Sequence, residues 1–308
     1  MQHLRIATRR SALALWQAEH VAALLRARHP GLTVALVPIV TTGDRIQDRP
    51  LADVGGKGLF IKELEVAMAE ERAELAVHSM KDVPAVLPEG FVIAAVLPRA
   101  DPRDAFLSRR HASFAALPPG ARVGTSSQRR QSILRALRPD LEIVPLRGNV
   151  DTRLRKLDAG EFDAIILAAA GLVRLGFGER ITEYLSPSVS LPAVGQGIVG
   201  IECRDRPAVL GLLGALDDRL SRECLAAERA LAARLEGSCT SPIAGFAHHA
   251  GGSLELEGLV GAPDGRVVYR DRIAGPPGEA EALGRALADR LLAAGAGALL
   301  ATLRARGD

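Results

Sequence analysis

Three side chains capable of acid–base or ionic chemistry fall within five residues: His78, Lys81 and Asp82. They follow the apolar run Leu75-Ala76-Val77 and precede Val83-Pro84. Side chains at the carboxyl end of a buried strand point into the crevice where α/β proteins bind ligands. There Asp82 can act as acid or base, or hold a cationic intermediate while Lys81 meets an anion. Pro84 disfavours helical geometry at Val83, so the segment does not simply wind on. Taken alone, it is equally compatible with a solvated loop and an incidental ion pair.

A second constellation is Gly124-Thr125-Ser126-Ser127-Gln128-Arg129-Arg130. It reads as a strand end, a hydroxyl-rich turn and a helix start, with Ser126 as N-cap. A helix N-terminus offers free N–H groups and a positive dipole end, and the Thr125 and Ser127 hydroxyls add donors, so this is a site for an anion. Arg129 and Arg130 fall in the first turn, the wrong end for cations, a conflict that an anionic ligand resolves. The plain alternative is a capped helix with both arginines in solvent. Leu146-Arg147-Gly148-Asn149-Val150-Asp151-Thr152-Arg153 repeats the pattern, and Arg9, Arg10 and Ser11 follow the first apolar run in the same manner. Four strand ends thus direct Arg or Lys at one basic cleft. The pattern predicts a small polyanionic ligand, with phosphates and carboxylates equally allowed.

Gly55-Gly56-Lys57-Gly58 lacks the GxxxxGK[ST] frame of a nucleotide-binding loop. A glycine-rich lid carrying Lys57 and Phe60 is the functional reading, a plain turn the ordinary one. Cys239 sits in Gly237-Ser238-Cys239-Thr240-Ser241-Pro242, a polar turn suited to covalent attachment, although an inert thiol fits equally well. Cys203 and Cys224 lie in apolar or helical surroundings and are expected as small buried hydrophobes. His248 and His249 point to opposite faces of a strand and have no partner at ligand spacing, so no metal is expected.

These residues need a scaffold, and the hydrophobic pattern supplies one. Strands are predicted at 4–8, 32–40 and 75–77, with helices after Ser11 (apolar face Leu13, Trp16, Val21, Leu24) and over Ile61, Leu64 and Met68. A second series places strands at 122–125, 141–146 and 164–168 and helices at 126–137 and 151–157. Such alternation means mainly parallel α/β sheets, here two units facing each other across a cleft. From 217 the character changes. A long helix at 219–235, strands at 243–247, 254–260 and 267–269, and a helix at 279–293 read as an α+β unit with a small antiparallel sheet.

Length and composition agree. The 308 residues exceed one ordinary core, and 48% hydrophobic with 24% charged residues lies in the globular range. Charged residues interrupt the first ten positions before a signal core forms, and the uncharged stretches 164–173 and 291–303 are shorter than a bilayer crossing, so neither secretion nor a membrane span is expected. Three cysteines without CxxC spacing fit a reducing cytoplasm. Net charge is only +3, yet lysine supplies just four of the 39 basic residues, at positions 57, 62, 81 and 156. A GC-rich genome inflates arginine; forks for carboxylate or phosphate do so selectively at strand ends. Aromatics at 3% leave no stacking platform for nucleic acid.

In this order the segments 6–11, 55–64, 76–84, 101–106, 123–131, 146–154, 190–203 and 235–242 closely resemble the porphobilinogen deaminase (hydroxymethylbilane synthase) family. The resemblance implies a transferase of tetrapyrrole biosynthesis. It joins four porphobilinogen molecules head to tail with loss of ammonia and releases hydroxymethylbilane. It implies a dipyrromethane cofactor held by a thioether to Cys239, and Asp82 as the catalytic carboxylate near the pyrrole N–H groups. Arg9, Ser11, Lys81, Thr125, Ser127, Arg129, Arg130, Arg147, Arg153, Arg174 and Gln196 match cofactor- and substrate-binding positions, and Lys57 and Phe60 match a mobile loop. Ser238 stands where a second glycine is usual. The family's fold implies two solute-binding-protein-like α/β domains, 1–97 with 198–216 and 98–197, and a third domain, 217–308, carrying the cysteine. A cytoplasmic monomer is expected. The competing reading is a two-lobed binder that clamps a small anion without chemistry.

Overall fold

A computed structural model describes residues 2–45, 58–237 and 241–305. The first stretch of chain forms β1 (His3–Arg9), α1 (Ala12–Arg28), β2 (Thr33–Ile39), α2 (Thr42–Arg45), α3 (Lys62–Ala69), β3 (Leu75–Ser79) and β4 (Phe91–Val96). Next come β5 (Asp104–Ser108), β6 (Arg122–Gly124), α4 (Gln128–Leu137), β7 (Glu142–Val144), α5 (Val150–Asp158), β8 (Ala164–Ala168), α6 (Ala169–Arg174) and β9 (Glu183–Leu185). The chain then runs through β10 (Val199–Arg204), α7 (Pro207–Leu213), α8 (Arg219–Arg234), β11 (Ile243–Ala250), β12 (Ser253–Gly261), β13 (Val268–Gly275), α9 (Ala280–Leu291) and α10 (Gly297–Ala305).

Two five-stranded sheets share one plan, with orders β2-β1-β3-β10-β4 and β7-β6-β8-β5-β9. In each, three strands are parallel, while the fourth runs antiparallel to both its neighbours. Four of the five strands in each sheet thus run the same way, as expected of a mainly parallel sheet, and one runs against them. The odd strand in each sheet is the one entered from the other unit: β5 follows the crossing at 97–103 and β10 the crossing at 186–198. Periodicity along the chain identifies a strand, but its direction depends on which edge it arrives from.

Buried side chains explain why these segments order. Leu4 and Ile6 of β1 pack under Ala18, Val21 and Leu25 of α1, while Ala7 turns to the opposite face against Leu64 and Met68 of α3. A central strand buried on both faces loses its polar alternation. The buried face of α1 is Ala14, Gln17, Ala18, Val21, Ala22 and Leu25, and the predicted face is corrected at Trp16, which is 36% exposed and stacks on His20. Alanines let the helix approach the sheet closely, and the indole is displaced to the rim.

The third sheet, β11-β12-β13, is antiparallel and is covered by α8 and α9 through Leu231, Leu235, Leu254, Leu256, Leu287 and Leu291. The helical run Pro277–Ala305 is long and apolar enough to cross a bilayer by length and composition. That exceeds the stretches measured in the sequence, because α9 includes charged positions. Leu283, Leu287, Leu291 and Leu300 of this run pack into the third core. Cys203 and Cys224 are buried as expected, and burial pushes both thiols up to about 11.

Candidate active site

Beyond β3 the chain makes one tight helical turn, Met80–Asp82, closed by Val83 N–H donating to the Met80 carbonyl. Met80 is the anchor. Its side chain is 1% exposed, and its N–H donates to the Ile198 carbonyl at 3.0 Å. Gly195 and Gly197 permit this approach. Both have positive φ, and a Cβ at 195 would lie 2.8 Å from that of Met80, one at 197 only 2.5 Å from the Ala100 oxygen. The second crossing therefore passes directly behind the turn, and the first packs against the second. Lys81 and Asp82 face the other way, half-buried, into the cleft.

Asp82 lies where two cavities meet. One is walled by Lys81, Asp82, Ser127, Arg129 and Arg229, and also by Gly237 and Ser241, which flank residues 238–240. The other is walled by Arg9, Ser11, Gln17, Phe60 and His78, again with Asp82. No hydrogen bond from a described residue reaches the Asp82 carboxylate. Cys239 and Lys57 lie outside the described residues.

Electrostatics mark the cleft as short of negative charge. Burial pushes the Lys81 ammonium down to about 8; Asp82 opposes the shift, Arg130 and Arg153 add to it, and Asp104 opposes it. Burial likewise lowers Arg153 to about 10, assisted by Arg130 and Arg147 and resisted by Asp82. Arg147 and Arg174 are lowered by burial. Desolvated cations with like-charged neighbours are stabilised by any anion that enters.

The predicted residues reach this cleft in different ways. Arg9, at the end of β1, pairs with Asp44 and lies 4.0 Å over the Phe60 ring. Ser11 caps α1, its hydroxyl accepting from Ala14 N–H. Ser127, not Ser126, caps α4, and Ser126 instead bridges to Leu146. The helix starts two residues later than the hydroxyl pattern indicates, because Thr125 N–H still bonds the Val144 carbonyl and Ser126 is held against Leu146. Thr125 is 2% exposed, and its hydroxyl accepts from Ser127 N–H. Arg153 donates through Nε to the Gly148 carbonyl at 2.7 Å. Arg174 donates to the Gly197 carbonyl at 2.8 Å and lies 5.8 Å from the Trp16 ring.

Neither sequence-based alternative for Arg129 and Arg130 describes what they touch. They are 3% and 6% exposed, and both pair with Asp104 at 2.9 and 2.7 Å. Gln196 joins the same carboxylate, its amide donating to Asp104 at 3.0 Å and to the Pro102 carbonyl at 2.6 Å. Asp104 stands in one of the stretches that carry the resemblance, but sequence reasoning assigns it no role. A signal is there: a charged residue opening an otherwise apolar strand. Sequence reasoning misses Glu228 as well. It receives Arg99 at 2.7 Å, Gly195 N–H at 2.7 Å and Ala247 N–H at 2.8 Å, linking both crossings to the third sheet. Glu228 sits on a helix whose sequence alone does not distinguish it from Glu223, and only burial does.

Residues 4–210 match the family model described as porphobilinogen deaminase, dipyromethane cofactor binding domain, and 222–293 match porphobilinogen deaminase, C-terminal domain. The chain belongs to the porphobilinogen deaminase family. A porphobilinogen deaminase of Chromobacterium violaceum is 56% identical over 306 residues, covering 99% of each chain. One from Stenotrophomonas maltophilia is 57% identical over 302 residues, covering 97% of this chain and 99% of that one. Among solved structures, a methionine-binding lipoprotein described as putative, from Bacillus subtilis, aligns over 70% of this chain and 90% of its own, at 13% identity and a TM-score of 0.43. The stretch matched by the cofactor-binding family model spans both five-stranded sheets. The two cavities that meet at Asp82 lie within it or at its border with the C-terminal domain.

Proposed function

We propose that the cleft condenses four porphobilinogen molecules head to tail, with loss of ammonia at each addition, and releases hydroxymethylbilane by hydrolysis. The chain is a transferase of tetrapyrrole biosynthesis. The observation that carries the reading at the level of chemistry is Asp82: one carboxylate without a hydrogen-bond partner among the described residues, at the junction of two cavities, in a field of desolvated cations.

Porphobilinogen carries acetate and propionate groups on a pyrrole with an aminomethyl arm. Arg9, Lys81, Arg147 and Arg153 pair with its carboxylates, and Ser11 and Thr125 flank them. The aminomethyl arm leaves from its ammonium form: the C–N bond breaks, its electron pair goes with nitrogen as ammonia, and positive charge spreads over the pyrrole. A C–C bond to a second pyrrole carbon, with loss of that carbon's proton, then quenches the charge. Asp82 accepts a hydrogen bond from the pyrrole N–H and stabilises that charge, an effect of about 3–4 kcal/mol for preorganised groups. A carboxylate already occupied by an arginine does this poorly, which is why Asp104 is unsuited to the task.

The lining of the first cavity supports dipyrromethane there. Cys239 would hold it by a thioether, since Gly237 and Ser241 on either side wall that cavity, and Lys81, Ser127 and Arg129 would meet its carboxylates. When bound, the group supplies the pyrrole end from which the product grows. The three sheets support a division into 1–97 with 198–216, 98–197 and 217–308. The cysteine content supports a cytoplasmic enzyme, and we take it to act as a monomer without nucleic acid or membrane.

Intact mass of the purified chain tests the reading. An adduct of dipyrromethane size that disappears in Cys239→Ser is expected. An unmodified chain, from a folded preparation supplied with porphobilinogen, favours the binder.

A further inference from the structure

Asp104 opens β5, immediately beyond the first crossing, and has no exposed surface. Four side chains converge on it: Arg129 at 2.9 Å, Arg130 at 2.7 Å, Ser190 Oγ at 2.7 Å and Gln196 Nε2 at 3.0 Å. The arginines are adjacent on the first turn of α4, and each sends its other terminal nitrogen to main chain, Arg129 to the Leu191 carbonyl at 2.6 Å and Arg130 to that of Ile166 at 3.1 Å. Ser190, Leu191 and Gln196 all belong to the second crossing. One carboxylate thereby sets the direction of two guanidinium planes and joins them to the strand on which the two units meet.

Two buried cations side by side repel each other unless a counter-charge lies between them. With Asp104 the group as a whole carries the charge of a single cation. Arg129 reaches the wall of the first cavity, and Arg130 lies close enough to lower the proton affinity of Lys81 and Arg153. The pair therefore acts on the anion site without being open to solvent.

We propose that Asp104 is a positioning residue for the anion-binding cleft: it cancels one of two adjacent charges, holds both guanidinium groups where they act on a ligand carboxylate, and through Ser190 and Gln196 ties that placement to the second crossing. The inference rests on the cleft taking porphobilinogen and its cofactor.

The test uses the full-length, cofactor-loaded enzyme in five forms: wild type, Asp104→Asn, Arg130→Gln, the double variant and Ser190→Ala. KM and kcat for porphobilinogen and the cofactor-bearing fraction by intact mass are measured for each. Asp104→Asn is expected to raise KM about tenfold, the scale of a lost charge-assisted hydrogen bond, and to lower the loaded fraction. The double variant is expected to lose less than the product of the two single losses, because the share of the Asp104 effect that passes through Arg130 is already gone. A purely structural role predicts instead that the two losses multiply, and that result overturns the proposal. Should Asp104→Asn not fold, Ser190→Ala decides: KM raised about threefold at unchanged kcat supports the proposal, and an unchanged KM overturns it. Wild type inactive on porphobilinogen would instead overturn the reading on which the inference rests.

Discussion

Asp104 and Glu228 lie on either side of the same two crossing strands, and neither has exposed surface. Burial pushes both carboxyls up. At Asp104, Arg129 and Arg130 overcome it and hold the group well below the usual aspartate range. At Glu228 burial prevails over Arg99 and two backbone N–H groups, and the carboxyl is raised. Both are well supplied with donors, so the number of hydrogen bonds does not separate them. The number of full positive charges does. Asp82 makes a third case, half-buried and without a donor among the described residues, and the role proposed for it rests on that.

The largest effect expected from this contrast is on stability. Asp104→Asn leaves two buried guanidinium groups facing each other and costs about 3–5 kcal/mol in denaturant unfolding. Glu228→Gln turns one of two accepting oxygens into a donor, against the N–H of Gly195 or Ala247, and leaves one cation, Arg99, that is partly exposed, so it costs about 1–3 kcal/mol. Equal losses would remove charge number as the cause of the difference. Asp82→Asn inverts the ranking: turnover falls about 100- to 1,000-fold, the scale for removing a preorganised catalytic group, while unfolding changes by less than about 0.5 kcal/mol. Turnover near wild type would show that the unpaired carboxylate is not the one that stabilises developing charge.

Smaller effects follow from pH. A raised carboxyl means that the folded state binds more protons than the unfolded state between the ordinary glutamate value and the raised one. The contribution of Glu228 is therefore fully present at low pH and is lost as pH rises through that window. Glu228→Gln flattens this limb of the stability curve, whereas Asp104, lowered, contributes no loss there. In the cofactor-free chain the Lys81 ammonium is pushed down to about 8, so loading with cofactor falls as pH rises through that value, and Lys81→Met abolishes the inflection. An inflection that survives the substitution assigns it to another group.

Much of the site is legible in the sequence. Lys81, Asp82, Arg9, Arg147 and Arg153 can be located because strand ends, glycine turns and a proline leave local marks, and those marks place side chains at the mouth of a sheet. Arg129 and Arg130 can be located but not explained in the same way. A cation in the first turn of a helix signals a counter-charge, and nothing in the neighbouring residues tells a ligand from Asp104, some 25 positions earlier. Trp16 shows the same limit on the packing side. Helical spacing puts it on the apolar face, while the close fit of alanines against the sheet pushes it to the rim.

Local order along the chain determined the strand and helix series, the basic strand ends and the place of Lys81 and Asp82 after a buried strand, because each depends on a few neighbouring residues. Tertiary structure decided which strands run antiparallel, which arginines meet a carboxylate of the protein itself, and that Asp82 lies between two cavities. Those outcomes are set by distances between segments far apart in sequence. Burial and Coulomb energy act through space, and the periodicity of a sequence carries no record of them.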